Sequence, residues 1–212
     1  MFDAVLFDLD GTLTDPAVGI TGSFRHALAT VGHPVADDVD LTWMIGPSMR
    51  ENLVRHGLPD DLHDAAIDAY RSRHTDVGLY DATLHAGTVE LLDALVGAGV
   101  QVALATAKPV PQAVLTLEHF GIADRFTVVA GAGPDGRTVG KVSIVADALA
   151  RLGAPARAAM VGDRLHDIEA GRANGCTTVG VEWGYAEPGE FDAVAPDHRV
   201  DSFEALAALL IG

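Results

Sequence analysis

The chain contains very little cysteine and no long apolar run. Cys176 is the only cysteine among 212 residues, which excludes an internal disulfide and a metal site built from several cysteines. No apolar run approaches the ~18 residues that a membrane-spanning helix requires. We therefore expect a soluble globular protein without membrane contact. The N-terminus leads directly into a predicted strand without a basic region, so we expect no signal peptide and a cytoplasmic location.

Positive charge is also scarce. The chain has 14 basic and 30 acidic side chains, which gives a formal net charge of -16. This balance argues against nucleic-acid polymers and anionic membranes as partners, but it does not exclude a small phosphorylated substrate. Twelve of the basic residues are arginines, and only Lys108 and Lys141 are lysines. Because lysine carries a compact point charge, its restriction to two positions indicates a chemical role for them.

The segment around which the chain is organised lies at its start. Residues 4–7 are apolar and bounded by acids, which predicts a strand buried in a parallel sheet. Asp8 and Asp10 follow at the carboxyl end of this strand, where open α/β sheets bind ligands. Side chains alternate along a strand, so both carboxylates should point the same way and suit a divalent cation. Gly11 permits a tight turn beside them. An isolated match of this kind is also compatible with a solvated turn.

The rest of the chain divides into two regions with different hydrophobic patterns. Residues 15–80 show only helical patterns, whereas strands and helices alternate from Tyr80 onwards. Repeated βα units predict a doubly wound parallel sheet, an α/β fold with all strand carboxyl ends on one edge. We therefore predict a Rossmann-like α/β core formed by residues 1–14 and 81–212, with residues 15–80 inserted as an all-helical cap.

Polar residues that follow the predicted strands should meet at that edge. They are Asp8 and Asp10, then Thr106, Ala107 and Lys108, then Asp163 and Asp167, with Lys141 opening a helix nearby. Separately, each has an ordinary explanation, such as capping a helix or facing solvent. Together, carboxylates, ammonium groups and a hydroxyl suit a phosphoryl group with Mg²⁺, because this hard cation prefers oxygen ligands.

In this order the segments resemble the four motifs of the haloacid dehalogenase (HAD) phosphohydrolase superfamily. The segments are Asp8-x-Asp10-Gly11-Thr12, Thr106, Lys141, and Gly162-Asp163-x-x-x-Asp167. The helical insertion, Ile45-Gly46-Pro47 with Arg50, and Ala105 to Pro109 look like the phosphoglycolate-phosphatase branch with a small cap. One departure is Val142 after Lys141, where relatives often have proline.

The resemblance implies a role for each matching residue. Asp8 would be the nucleophile that forms an aspartyl-phosphate, and Asp10 would protonate the leaving oxygen and then activate water. Mg²⁺ would be held by Asp8, the backbone carbonyl of Asp10 and Asp163. Lys141 would offset the charge on the transferred group.

The remaining implied roles concern substrate and support. Thr106, with backbone N–H groups around Gly11, Thr12 and Ala107, would bind phosphate oxygens. Asp167 would orient Lys141 or the metal-bound waters. Lys108 and Arg50 are candidate substrate contacts, and Trp43 is as compatible with the cap core as with the substrate pocket.

The residues predict a Mg²⁺-dependent phosphatase for a small phosphomonoester such as phosphoglycolate, a sugar phosphate or a nucleotide. Asp10 favours a phosphatase over a dehalogenase, because carbon–halogen cleavage has no oxygen leaving group to protonate. An inorganic pyrophosphatase and a phosphosugar mutase remain alternatives within the superfamily. A receiver-like phospho-acceptor module is more distant, because its acceptor aspartate follows a later strand. The substrate stays open, and so does the choice between monomer and homodimer.

Overall fold

The computed structural model describes residues 1–133 and 140–212. Its strands are β1 (Ala4–Phe7), β2 (Thr14–Asp15), β3 (Thr83–Leu84), β4 (Gln101–Pro109), β5 (Val128–Ala132), β6 (Ala158–Gly162), β7 (Thr177–Val181) and β8 (His198–Val200). Its α-helices are α1 (Ala17–Thr30), α2 (Met49–His56), α3 (His63–Arg73), α4 (Thr88–Gly97), α5 (Val110–His119), α6 (Gly140–Arg151), α7 (Leu165–Ala173), α8 (Glu190–Val194) and α9 (Phe203–Ile211). Residues Thr42–Met44, Asp60–Leu62 and Ala123–Arg125 form 3₁₀ turns, and His74–Gly78 forms a π turn.

Among the described residues, six strands form one parallel sheet in the order β5-β4-β1-β6-β7-β8. Strand β1 lies near the centre, with Val5 opposite Val102 of β4 and Ala159 of β6. All four β1 residues are fully buried, as expected for a central strand covered on both faces. The predicted α/β architecture with a doubly wound sheet and a helical insertion is confirmed.

Helices cover both faces of this sheet because consecutive β1 residues point to opposite sides. Val5 and Phe7 pack into one core with residues of α4, α5 and α9. Ala4 and Leu6 pack into the other, with residues of α6 and α7. The carboxyl ends of the strands therefore lie between two apolar layers, and polar residues that follow them are partly shielded from water.

The described residues separate into two compact units. One comprises residues 1–15 and 84–212, and the other comprises residues 16–83. The second unit contains α1, α2 and α3. Helix α2 begins with a capping box, in which the Ser48 side chain accepts the Glu51 N–H and Glu51 accepts the Ser48 N–H. The assignment of this unit as a substrate-covering cap stays a prediction. No helix in residues 1–133 or 140–212 has both the length and the apolar character needed to cross a membrane.

Two regions differ from the sequence-based prediction. The run from Val100 to Ala105 predicts the second core strand, but β4 spans Gln101–Pro109, and its pairing with β5 is interrupted after Ala105 and resumes at Pro109. The sequence also predicts neither α8 nor β8. In β8 two of three residues are exposed, so this edge strand has no apolar alternation by which to recognise it.

Candidate active site

Asp8 stands directly after β1 at the carboxyl edge of the sheet. Its backbone N–H donates to the carbonyl of Val161 at 3.0 Å, which continues the pairing of β1 with β6. Its Oδ1 accepts the Leu9 N–H at 2.8 Å, and the residue is buried. The chain then turns at Gly11, whose φ is +89°. A Cβ at Gly11 would lie 2.2 Å from Oδ2 of Asp163, so only glycine allows this carboxylate to approach.

Asp163 follows β6 and is completely buried. Its Oδ1 accepts the Thr12 hydroxyl at 3.2 Å, and its Oδ2 accepts the Tyr185 N–H at 2.8 Å. Burial and the nearby charges of Asp167 and Asp8 raise the pKa of this carboxyl to about 8. Asp163 is thus held from both sides in a position where negative charge needs compensation.

Lys141 is the second residue of α6 and joins two of the acids. Its Nζ lies 2.9 Å from Oδ1 of Asp8 and 2.8 Å from Oδ1 of Asp167. Burial disfavours the ammonium, but the charges of Asp167 and Asp8 outweigh this and raise the pKa of Lys141 above its ordinary value. Asp167 lies in the first turn of α7, where its Oδ2 accepts the Arg164 N–H at 3.1 Å. Burial raises the pKa of Asp167 despite its pairing with Lys141.

Three of these carboxylates could hold one cation. Asp8, Asp163 and Asp167 each offer an oxygen atom, and these atoms lie within 4.8 Å of one another. Within the described ranges this is the one such group of histidine, cysteine or acidic side chains. Buried carboxylates this close repel one another, and oxygen ligands suit a hard divalent ion. The donor set therefore fits the divalent metal site that the resemblance to HAD phosphohydrolases implies.

Asp10 has different surroundings from those expected for a continuing strand. Strand β1 ends at Phe7, so alternation no longer sets the direction of this side chain. The Lys108 Nζ lies 2.8 and 2.6 Å from the two carboxylate oxygens of Asp10. The Asp10 side chain is not part of the three-carboxylate group found in the described chain. A metal contact through its backbone carbonyl stays a prediction.

The other predicted contacts lie in two places. Thr106, Ala107 and Lys108 belong to the last part of β4, where the Thr106 hydroxyl accepts the Lys108 N–H at 3.2 Å. In the second unit Arg50 forms an exposed ion pair with Asp64. There the Arg55 guanidinium carbon lies over the Trp43 ring, 4.5 Å from the ring centroid. The rings of Trp43 and Phe24 meet edge to face, with their centroids 6.5 Å apart. The contact of the predicted residues with a substrate stays a prediction.

Sequence analysis does not identify the segment after β7 as part of this site. There Tyr185 contacts Asp163, and the Trp183 indole N–H donates to the carbonyl of Thr12 at 3.1 Å. Glu190 forms a buried ion pair with Arg164, the residue after Asp163. The available signal is topological: β7 pairs with β6, so its carboxyl end must adjoin Asp163.

Comparison with known proteins agrees with this geometry. The family model described as haloacid dehalogenase-like hydrolase matches residues 5–181. A predicted phosphatase of known structure from Clostridium acetobutylicum superposes with a TM-score of 0.91, at 29% identity, over 100% of this chain and 99% of that one.

Three curated relatives have different names. A tyrosine-protein kinase PtkA from Mycobacterium tuberculosis is 47% identical over 182 residues, which cover 85% of this chain and 62% of the kinase. A 5'-nucleotidase from Pseudomonas aeruginosa is 36% identical and covers 97% of this chain and 94% of its own length. A phosphoglycolate phosphatase from Agrobacterium fabrum is 31% identical, over 97% and 91% respectively.

The matched span includes the aspartates of both acidic motifs and both lysines, and the match to the phosphoglycolate phosphatase agrees with the predicted branch. The chain therefore belongs to the haloacid dehalogenase-like hydrolases, which confirms the predicted superfamily. Its activity as a phosphatase is a proposal, because the chain spans only 62% of the kinase relative.

Proposed function

We propose that the protein is a Mg²⁺-dependent phosphatase that hydrolyses a small phosphomonoester through an aspartyl-phosphate at Asp8. The observation that carries this proposal is the convergence of Asp8, Asp163, Asp167 and Lys141 at the carboxyl edge of the parallel sheet. A buried carboxylate beside an ammonium and a cation-binding group is a suitable nucleophile for phosphorus. The predicted cytoplasmic location is part of the proposal and is not needed for the chemistry.

Mg²⁺ fits the metal site because its three candidate side-chain ligands are all carboxylates. We assign Asp8, Asp163 and the backbone carbonyl of Asp10 as its ligands, with Asp167 beside them. When bound, the ion supplies positive charge to the oxygens of the transferred phosphoryl group. Asp167 also pairs with Lys141 and thereby fixes the direction of the ammonium.

The protein residues divide the reaction between them. The Asp8 carboxylate attacks phosphorus and displaces the alcohol oxygen of the substrate, to which Asp10 gives a proton. Asp10 then takes a proton from the water that attacks phosphorus and releases phosphate and free Asp8. Lys141, together with Thr106 and backbone N–H groups of Gly11, Thr12 and Ala107, stabilises the charge on the phosphoryl oxygens.

The substrate class is a small phosphorylated metabolite. Relatives named 5'-nucleotidase and phosphoglycolate phosphatase match nearly the whole chain, which supports a phosphomonoester with either a nucleoside or a small acid as leaving group. We propose that residues 16–83 supply the groups that choose between them, with Arg50 as a candidate anion contact and Lys108 as a candidate contact from the core. A pyrophosphatase would differ from this phosphatase only in the leaving group, which would be phosphate. A phosphosugar mutase would differ only in the acceptor of the phosphoryl group, which would be a sugar hydroxyl instead of water.

The test is phosphate release from nucleoside monophosphates, phosphoglycolate, sugar phosphates and pyrophosphate. Each is assayed with Mg²⁺ and with chelator, for wild type, Asp8→Asn and the control Asp147→Asn, which makes the same change at an exposed helix position. We expect metal-dependent release that is lost only in Asp8→Asn. If folded, Mg²⁺-supplied wild type releases no phosphate from any of them, the proposal is wrong.

A second candidate is phosphoryl transfer involving protein tyrosine. It is favoured by the 47% identity to a protein named tyrosine-protein kinase, although the match spans only 62% of that relative. The test is incubation with ATP labelled on the γ-phosphate, followed by analysis for phosphotyrosine in the chain and in added polypeptide. Stable label on tyrosine, with no hydrolysis of the phosphomonoester panel, would favour transfer over hydrolysis.

A further inference from the structure

The segment between β7 and α8, residues 182–189, lies against Asp163; we call it the β7–α8 loop. The backbone N–H of Tyr185 donates to Oδ2 of Asp163 at 2.8 Å. Gly184 packs directly against the same side chain: a Cβ built on Gly184 would lie 2.2 Å from the Cβ of Asp163. Gly11, in the segment after β1, is equally close: a Cβ built on it would lie 2.2 Å from Oδ2 of Asp163. The carboxylate is therefore confined between two backbone segments that carry no side chain at the contact.

Two side chains attach this loop to the end of the first-motif segment. The Tyr185 hydroxyl donates to Oδ1 of Asp15, the last residue before the chain enters the second unit. Burial and this hydrogen bond raise the pKa of the Tyr185 phenol above its ordinary value, so the hydroxyl keeps its proton and acts as the donor. The Trp183 indole N–H donates to the carbonyl of Thr12, and its ring stacks on Phe203 at 4.6 Å.

The far end of the loop is attached to the segment that follows Asp163. Glu190 accepts the Glu187 N–H at 2.9 Å, the Leu165 N–H at 2.6 Å and the Arg164 Nε–H at 3.0 Å. Arg164 and Glu190 are both buried, so this ion pair has little competition from water. The loop is thus fixed at three points, and the contact with Asp163 lies between them.

From this geometry we propose that Tyr185 is a positioning residue for the metal ligand Asp163, with Gly184 providing the space for the contact. The Tyr185 hydroxyl holds the loop to Asp15, and the loop N–H in turn holds Oδ2 of Asp163 in one direction. The inference rests on the metal site of the proposed function. Its consequence is measurable as cation affinity, because outer hydrogen-bond partners of metal ligands typically contribute about 10- to 100-fold to that affinity.

The experiment measures Mg²⁺ binding by calorimetry, without substrate, for wild type, Tyr185→Phe, Gly184→Ala and Gly97→Ala. Tyr185→Phe removes only the hydroxyl, and Gly184→Ala forces the loop or Asp163 to move. Gly97→Ala is the matched control, because a Cβ at Gly97 meets no atom within 4 Å. We expect the Kd for Mg²⁺ to rise about 10-fold in Tyr185→Phe, more in Gly184→Ala, and not at all in Gly97→Ala.

Unfolding temperature in chelator separates positioning from general support. A positioning role predicts that Tyr185→Phe keeps the metal-free unfolding temperature near that of wild type. An unchanged Kd in both loop variants overturns the proposal. It is also overturned if affinity falls only in proportion to a loss of metal-free stability.

The experiment distinguishes a failure of the proposed function from a failure of the positioning role of Tyr185. If wild type binds Mg²⁺ but releases phosphate from no substrate, the phosphatase proposal is wrong and the comparison of Kd values still tests Tyr185. If wild type binds no Mg²⁺, the assignment of Asp163 as a ligand is wrong, and the positioning role is overturned with it.

Discussion

The Lys108 ammonium donates to both carboxylate oxygens of Asp10, at 2.8 Å to Oδ1 and 2.6 Å to Oδ2. Both side chains are largely buried, with 6% of Lys108 and 17% of Asp10 exposed. The other lysine of the chain, Lys141, pairs with Asp8. Each of the two lysines thus contacts one of the two aspartates that follow β1. The scarcity of lysine singles out both positions in the sequence, but it does not indicate which acid each one contacts, and the chemical role of both stays a prediction.

The first prediction concerns Lys108→Met, which keeps much of the side-chain length and removes the charge. Asp10 then loses the partner that fixes its carboxylate, so proton transfer to the leaving oxygen should be slower. We expect kcat to fall by about 10²-fold, the lower end of the contribution of general acid–base catalysis. Steady-state kinetics with the best substrate measure this. Wild-type kcat in Lys108→Met would show that the pair has no role in turnover.

The second prediction is that Lys141→Met destabilises the metal-free protein. Removing one partner of a buried ion pair leaves uncompensated charge on Asp8 and Asp167, which costs about 3 kcal/mol of unfolding free energy. Urea unfolding in chelator measures the loss. The control is Arg50→Met, whose exposed ion pair with Asp64 should contribute less than about 1 kcal/mol. Equal effects of the two substitutions would mean that the Lys141 ammonium is not the charge that balances this cluster.

The third prediction concerns Asp163→Asn and metal removal. At pH 9, above the Asp163 pKa of about 8, asparagine can still accept the Tyr185 N–H and can donate its amide to the Thr12 hydroxyl, while one of three crowded negative charges disappears. We expect the unfolding temperature in chelator to rise by about 3 °C, which corresponds to roughly 1 kcal/mol for a chain of this size. Mg²⁺ should stabilise wild type and leave Asp163→Asn unchanged.

Thermal unfolding with and without Mg²⁺ gives both values for this comparison, and Asp147→Asn serves as the exposed control. An equal Mg²⁺-induced shift in wild type and Asp163→Asn would remove Asp163 from the metal site.

The fourth prediction follows from the thiol of Cys176. This residue is buried, and burial raises its pKa to about 11. Since the thiolate is the reactive form, a raised pKa keeps the thiol protonated and unreactive at pH 8. We expect iodoacetamide to alkylate the folded protein about 100-fold more slowly than the urea-unfolded chain, with the rate rising as the pH approaches 11. Mass spectrometry follows the reaction, and equal rates in both states would show that Cys176 is accessible.

Much of the site could be predicted because sequence order and sheet topology place it. Asp8 follows a fully apolar strand, Asp163 follows another, and parallel strands present their carboxyl ends on one edge. The sequence predicts Lys141 at a helix start near that edge, and it lies there with its Nζ 2.9 Å from Asp8 and 2.8 Å from Asp167. These positions depend on local patterns that the sequence displays directly.

Other contacts could not be predicted because they join residues far apart without a periodic signal. The pairing of Lys108 with Asp10 spans 98 positions, and Lys108 lies in the part of β4 where the pairing with β5 is irregular. The contact of Tyr185 with Asp163 depends on a loop whose path is set by tertiary attachments. Alternation along β1 suggested a common direction for Asp8 and Asp10, but the strand ends at Phe7 and the rule no longer applies.

The most direct test of the central claim is to identify the residue that carries the phosphoryl group. Wild type and Asp8→Asn are mixed with the best substrate and Mg²⁺, quenched in acid within the first turnover, and reduced with borohydride, which converts an aspartyl-phosphate to homoserine. We predict that tandem mass spectrometry finds homoserine at position 8 of wild type, and not at Asp3, Asp10 or Asp15. Rapid phosphate release with unmodified Asp8 under the same quench would contradict covalent catalysis by this residue.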